Sequence, residues 1–250
     1  MAYSMGDIYQ KMTSSGRRQF AVLADPDKLT NSQAETLAER CNTAEVDYIF
    51  TGGSLVMQYR MEEMVSVIRR HTRIPVVLFP GNVLQVTDQA NAILFLSLIS
   101  GRNPEMLIGR HVEAAPILNK SGLEVIPTGY MLVESGALTT ALYMSGTIPV
   151  PRSKPDVAAC TALAGQMLGL QAIYLDAGSG ALQPVPPAMI AAVKAQVHIP
   201  VIVGGGIRTT DDCLNACKAG ADIVVVGNAI ESRPDLIAEF SRIVHTSPLL

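Results

Sequence analysis

Eight short apolar runs, spread along nearly the whole chain and each bounded by turn residues, constrain the fold more than any other feature. They are Phe20 to Ala24, Val46 to Phe50, Val76 to Phe79, Ile93 to Leu98, Glu124 to Pro127, Ala172 to Leu175, Pro200 to Val203 and Ile223 to Val226. Most are continuously apolar rather than alternating, the signature of parallel strands covered on both faces. Helix-compatible segments separate most of them: Ser32 to Thr43, Glu62 to Arg70, Pro104 to Asn119, Asp156 to Leu168, Pro187 to Ala195, Thr210 to Ala219 and Pro234 to Val244. Strand and helix alternating in this way within 250 residues predict an α/β fold, a (β/α)8 TIM barrel occupying 1–250 as a single domain.

Two segments break the alternation. Pro80 to Ala92 (PGNVLQVTDQANA) is short and polar, which predicts a third helix that is modified, reduced or replaced by a loop, with the side of the barrel opened there. Gly129 to Pro155 is too long for a simple connection and is expected to fold over the active face.

A net charge of -3 gives no bulk field for nucleic acid, and the apolar runs are too short to span a bilayer. The opening MAYSMGDIYQKM lacks the apolar core of a signal peptide, so a cytoplasmic location is expected, with contact between one face and a membrane surface left open. Cys41, Cys160, Cys213 and Cys217 form no Cys-x-x-Cys pair and read as reduced, packed thiols. His71, His111, His198 and His245 are scattered, which argues against a zinc site.

Chemistry concentrates at the ends of the last three strands. Tyr174 to Gly180 (YLDAGSG), Gly204 to Arg208 (GGGIR) and Gly227-Asn228 each put glycine where an apolar run stops. There the backbone can turn sharply and bring N–H groups up to an anion with no Cβ in the way. In barrels of this class the loops after strands seven and eight commonly hold phosphate, and GGGIR and GN fall there. The helix opening at Thr209-Thr210 adds the positive end of its dipole. Glycines relieving crowding at barrel corners are the plainer explanation, but that does not account for three adjacent strand ends.

Carboxylates mark the same rim. Asp176 ends the sixth run beside the proposed anion site, where a negative charge weakens binding unless it takes a proton or a hydroxyl hydrogen bond. It can also cap the turn that follows. Asp25 ends the first run in ADPDK, next to the eighth in a closed barrel, where a hard cation could bridge it to a second phosphoryl group. Ser54, in TGGS after the second run, offers a nearby hydroxyl, or else a helix cap. Lys28, Arg152 and Lys154 are candidates for balancing diphosphate charge, and equally for solvated surface.

Taken in order, ADPDK, TGGS, PVVLFPGN, PTGYMLVESG, YLDAGSG, GGGIR and VVGN resemble the geranylgeranylglyceryl phosphate synthase family, prenyltransferases of ether-lipid synthesis, and within it the second group. The resemblance implies Mg2+-dependent transfer of a polyprenyl group, geranylgeranyl, from its diphosphate to the primary hydroxyl of sn-glycerol 1-phosphate. It implies Asp25 and Ser54 as metal ligands. It implies Tyr174, Leu175, Asp176, Ala177, Gly178, Ser179, Gly180, Gly205, Gly206, Gly227 and Asn228 as the glycerol phosphate site. Asp176 would orient or deprotonate the attacking hydroxyl, and Tyr130 would lie beside the reacting prenyl carbon. Some members carry a lysine two residues before the first aspartate, where this chain has Leu23, which leaves open which cation helps hold the anions.

A long prenyl tail needs an apolar groove, for which Phe95, Leu96, Leu98, Ile99, Met106 and Leu107 are wall candidates, with ordinary barrel core the competing reading for at least half of them. Asp211-Asp212 opens a helix and makes no DDxxD element, which disfavours the aspartate-rich helical prenyl synthases. A homo-oligomer is expected. Two other readings compete: a phosphosugar isomerase, epimerase or cyclase using Asp25 and Asp176 as an acid/base pair, and a non-catalytic barrel binding a phosphorylated ligand.

Overall fold

In the computed structural model, which describes residues 6–249, eight parallel strands close on themselves in sequence order. Met1 to Met5 of the opening segment, and Leu250, lie outside the described residues. The strands are β1 Gln19–Ala24, β2 Tyr48–Thr51, β3 Val76–Leu78, β4 Ala92–Leu98, β5 Glu124–Leu132, β6 Ala172–Asp176, β7 Val201–Gly204 and β8 Ile223–Val226. The ring shuts between β1 and β8, where Phe20 stands opposite Val224 and Val22 opposite Val226.

The continuous apolar runs resolve into two layers. Ala21, Tyr48, Phe50, Val77, Leu94, Ile126, Tyr174, Ile202 and Val225 point inward and fill the barrel. Their neighbours Phe20, Val22, Ile49, Val76, Ile93, Ile173, Val203 and Val224 point outward and pack on helix residues such as Leu37, Met64, Ile190 and Phe240. Side chains alternate along a strand, so burial on both faces demands apolar residues at every position.

The helices are α1 Asp7–Ser14, α2 Asn31–Thr43, α3 Met61–His71, α4 Arg110–Ser121, α5 Thr140–Ser145, α6 Pro155–Met167, α7 Pro187–Lys194, α8 Thr210–Ala219, α9 Asn228–Ser232 and α10 Leu236–Thr246. Seven match the expected segments, while α1, α5 and α9 do not follow from the sequence reading. Tyr9 and Met12 of α1 pack on the inward cluster, and the Glu124 carboxylate accepts the N–H groups of Ile8 (2.9 Å) and Tyr9 (2.7 Å). This helix shuts the barrel floor, and the loops after the strands form the mouth. None of the described helices is long and apolar enough to cross a membrane.

Between β3 and β4 the connection holds only a 3-10 turn, Val83–Gln85, as the short polar segment predicts. The stretch from Gly129 to Pro155 is more ordered than a loop. Its first residues extend β5 to Leu132, α5 lies within it, and Val150 returns to pair with Val133. Thr139 from this stretch does reach the mouth, where its side chain fills the space beside Gly178. A π-helical turn, Glu105–Gly109, leads into α4. Cys41, Cys213 and Cys217 are buried, but Cys160 is exposed on α6, which corrects its reading as a packed thiol.

Candidate active site

The β6 and β7 ends interlock. In register, Asp176 stands opposite Gly204, and the Ala177 N–H donates to the Gly204 carbonyl at 3.1 Å. Gly205 follows with φ at +76°, and a Cβ there would strike the Asp176 carboxylate together with the amide nitrogens of Gly178 (2.5 Å) and Ala177 (2.7 Å). Only glycine permits this approach. Gly205, Gly206 and Gly227 are half-buried and Asn228 is exposed, so these residues after β7 and β8 lie at the barrel mouth. Asn228 is the first residue of α9 rather than part of a turn, and the Ser179 hydroxyl reaches its Oδ1 at 3.4 Å, linking the β6 and β8 loops. Thr209 caps α8 through a capping box with Asp212, which fixes the helix start behind GGGIR.

Asp176 is 6% exposed. Its Oδ1 accepts the Gly178 N–H at 2.7 Å, the turn-capping role, and its Oδ2 accepts the Tyr130 hydroxyl at 2.5 Å. Burial pushes its carboxyl above the ordinary value, against the opposing pull of these two hydrogen bonds. Burial, and after it the Asp176 charge, raises the Tyr130 and Tyr174 hydroxyls well above a normal phenol, so both stay protonated. Tyr130 can therefore donate to Asp176, and Asp176 is a stronger base than a solvated aspartate.

Tyr130 reaches this point because β5 continues beyond Pro127, pairing Tyr130 with Tyr174 and Leu132 with Asp176. Phe79, at the end of β3, completes an aromatic cluster: its ring stacks on Tyr174 at 4.8 Å and meets Tyr130 edge-on at 5.8 Å. Phe79 was not singled out from the sequence. Its inward phase at a strand end was the available signal.

An apolar groove begins at Tyr130 and Phe79 and runs along β4, where the connection from β3 supplies no α-helix. Val83 and Val86 form one side, α4 with His111, Ala114 and Leu118 the other, and Met144 of α5 lies at the rim. Of the expected wall residues, Phe95, Leu96, Leu98 and Met106 line it. Ile99 does not; it packs between Gly129 and Gly165 behind β5. Leu107 is also outside the lining, its carbonyl accepting the Ser97 hydroxyl at 2.7 Å. His111 meets Phe95 edge-on at 4.4 Å, and burial lowers its pKa, keeping the imidazole neutral in this apolar wall.

On the far side of the mouth, Asp25 lies beside the loop that carries Ser54. The Asp25 carboxylate lies 3.8 Å from the Cβ position of Gly53, the residue before Ser54. Ser54 caps no helix, because α3 starts only at Met61. Its loop is held from below by buried Gln85, which accepts from the Gly53 and Gly81 N–H groups (3.2 and 3.1 Å) and donates to the Gly53 carbonyl at 2.8 Å. From the side, Asp27 accepts the N–H groups of Met57 and Gln58. No group of three or more His, Cys, Asp or Glu side chains among the described residues is placed to share an ion. Asp25 and Ser54 are hard oxygen donors at an open rim, which suits a cation that completes its shell with water and substrate oxygens.

Arg152 is committed to the Glu134 and Pro184 carbonyls, and Arg208 to that of Ala181. Lys154 lies exposed before α6. Lys28 is the basic side chain that the structure brings to Asp25, at 3.5 Å.

A buried carboxylate with a phenol at its back, beside glycine-rich strand ends and an apolar groove, goes with a barrel enzyme of the prenyltransferase class. The chain belongs to the PcrB family, which it matches over residues 13–245. Geranylgeranylglyceryl phosphate synthase of Spirosoma linguale is 57% identical over 230 residues, 92% of each chain. The enzyme of the same name from Chitinophaga pinensis is 53% identical over 234 residues, 94% of this chain and 93% of that one. The structure of (S)-3-O-geranylgeranylglyceryl phosphate synthase from Thermoplasma acidophilum with sn-glycerol-1-phosphate superposes with a TM-score of 0.89 at 31% identity, over 98% of this chain and 99% of that one. An N-acetylmannosamine-6-phosphate 2-epimerase from Clostridium perfringens shares only the fold, at a TM-score of 0.59 and 11% identity, over 97% of this chain and 99% of that one.

Proposed function

We propose that this enzyme joins the primary hydroxyl of sn-glycerol 1-phosphate to a geranylgeranyl chain delivered as its diphosphate, with Mg2+ required and diphosphate released. The observation that carries the reading is the 2.5 Å hydrogen bond from Tyr130 to Asp176, because Tyr130 lines the apolar groove while Asp176 belongs to the glycine cradle. A phosphosugar isomerase has no use for that groove.

The amides of Gly205, Gly206, Gly227 and Asn228 hold the phosphate, leaving the glycerol hydroxyl beside Asp176. Asp176 takes the hydroxyl proton as the oxygen's electron pair forms the new bond to the allylic carbon. The bond from that carbon to diphosphate breaks, and its pair departs with the diphosphate. General-base help of this kind is worth roughly 100- to 10,000-fold. The rings of Tyr130, Phe79 and Tyr174 exclude water and present π faces toward developing positive charge. Asp25 and Ser54 would hold the cation, which when bound neutralises charge on the leaving group.

The test incubates the protein with labelled glycerol 1-phosphate and geranylgeranyl diphosphate, with Mg2+ or with EDTA. A labelled ether lipid phosphate formed in Mg2+ and lost in EDTA is expected. No product with any prenyl diphosphate in Mg2+ overturns the reading.

A further inference from the structure

The turn after β1 touches three neighbours at once. Asp25 faces the Ser54 loop, Asp27 fastens the backbone beyond that loop, and Lys28 reaches across the barrel seam to α9. The Lys28 ammonium lies 2.9 and 3.2 Å from the two Glu231 oxygens, and 3.5 Å from Asp25 Oδ2. Its side chain is 43% exposed, so it is neither sealed in nor fixed by packing. The other Asp25 oxygen accepts the Asp27 N–H at 3.0 Å, which holds the carboxylate toward the lysine. Position 23, on the same inward face of β1 as Asp25, is Leu23 and packs against Gly227 without charge.

Resting on the function proposed above, we infer that Lys28 is a diphosphate-binding residue of the prenyl-donor half of the site. Without substrate, Glu231 holds its ammonium close to Asp25 but stops it collapsing onto that carboxylate. When the prenyl diphosphate arrives, the ammonium turns from Asp25 to an oxygen of the terminal phosphate, and Glu231 keeps the stem oriented. A diphosphate brings about three negative charges to a rim that already carries Asp25, and a divalent ion with Lys28 balances most of them. Lys28 stays protonated throughout, and the bond changes remain those between the glycerol oxygen, the allylic carbon and the leaving oxygen.

Binding of inorganic diphosphate and of glycerol 1-phosphate, each measured by calorimetry in Mg2+, tests this with wild type, Lys28→Met, Lys28→Arg and Glu231→Gln. The expected result is a loss of at least tenfold in diphosphate affinity for Lys28→Met, substantial recovery in Lys28→Arg, and unchanged glycerol phosphate affinity in both. Glu231→Gln should keep most of the diphosphate affinity. Diphosphate binding untouched in Lys28→Met overturns the assignment. Equal loss of glycerol phosphate affinity in Lys28→Met and Glu231→Gln overturns it too, because the pair would then be only a clamp between the β1 turn and α9. Wild type that fails to bind diphosphate at all overturns the functional reading itself, and Lys28 with it.

Discussion

Replacing Gly205 by alanine tests whether the cradle is built on close backbone approach. The new Cβ must enter the space held by the Asp176 carboxylate and the Gly178 and Ala177 amides, groups tied to one another and unable to swing aside singly. The left-handed backbone costs an alanine about 1–2 kcal/mol. Pulling the carboxylate off the Gly178 N–H costs about another 1.5–3 kcal/mol. In a chain of this size each kcal/mol lowers the melting temperature by about 2–4 °C, so a fall of roughly 10 °C is expected. Displacing the base by an ångström costs about 100-fold in turnover. Two other glycines supply the comparison. At Gly180, with φ at +82° and nothing within 4 Å, alanine meets only the backbone penalty. At Gly227, with φ at -117° and the nearest atom of Leu23 at 3.4 Å, alanine should cost little in stability. Thermal melts should rank Gly205→Ala far below Gly180→Ala, and that below Gly227→Ala, with Gly205→Ala also losing turnover. Equal melting points across the series, or a Gly205→Ala enzyme with normal turnover, would refute the reasoning.

Asp176→Asn should cut turnover at least 100-fold while leaving glycerol phosphate binding measurable by calorimetry. Its melting temperature at neutral pH should hold or rise: the folded carboxyl titrates above its unfolded value, so its contribution to stability is present in acid and lost as pH rises through the folded pKa. The kcat profile should fall on the acid side above the ordinary aspartate pKa of about 4, where Asp176 takes up its proton. Tyr130→Phe keeps the ring contacts but removes a hydrogen bond that lowers the Asp176 pKa, so this acid limb should move to higher pH. An unmoved limb would mean that another group is titrating. Hydrogen exchange should show the amides around Phe95 and Leu96 slowing when a prenyl diphosphate binds, but not when glycerol 1-phosphate does.

The strands and the glycine cradle were legible because their signals are local: an apolar run between turn residues, and a glycine where the run stops. Tyr130 entered only through the family resemblance, and nothing near it in sequence shows that its hydroxyl meets Asp176. That meeting depends on the register between β5 and β6, fixed after the chain has folded. Gln85 reads as one polar residue in a short polar stretch, yet it is 2% exposed and anchors two loops. Glu231 lies in α9, a helix of five residues whose local signal is too weak to find it, and its partner Lys28 is 203 positions away. The short polar α1 was missed for the same reason, since tertiary packing on the barrel floor makes up for what its sequence lacks.

One mismatch between sequence and structure points to function by itself. The β4 sequence AILFLSL is apolar on both faces, the pattern of a strand covered by the barrel interior on one side and a helix on the other. Yet the connection before it provides only a 3-10 turn, and Phe95, Leu96 and Ser97 are left half-buried. A chain that kept such a strand without the helix to cover it would expose apolar surface to water at about 25 cal/mol per Å2. On the proposed function, a flexible prenyl tail in the groove would cover the same surface. The segment that deprived the barrel of a helix and the strand that still expects one are complementary, which is the arrangement the proposed elongated donor with its reactive end at Tyr130 requires.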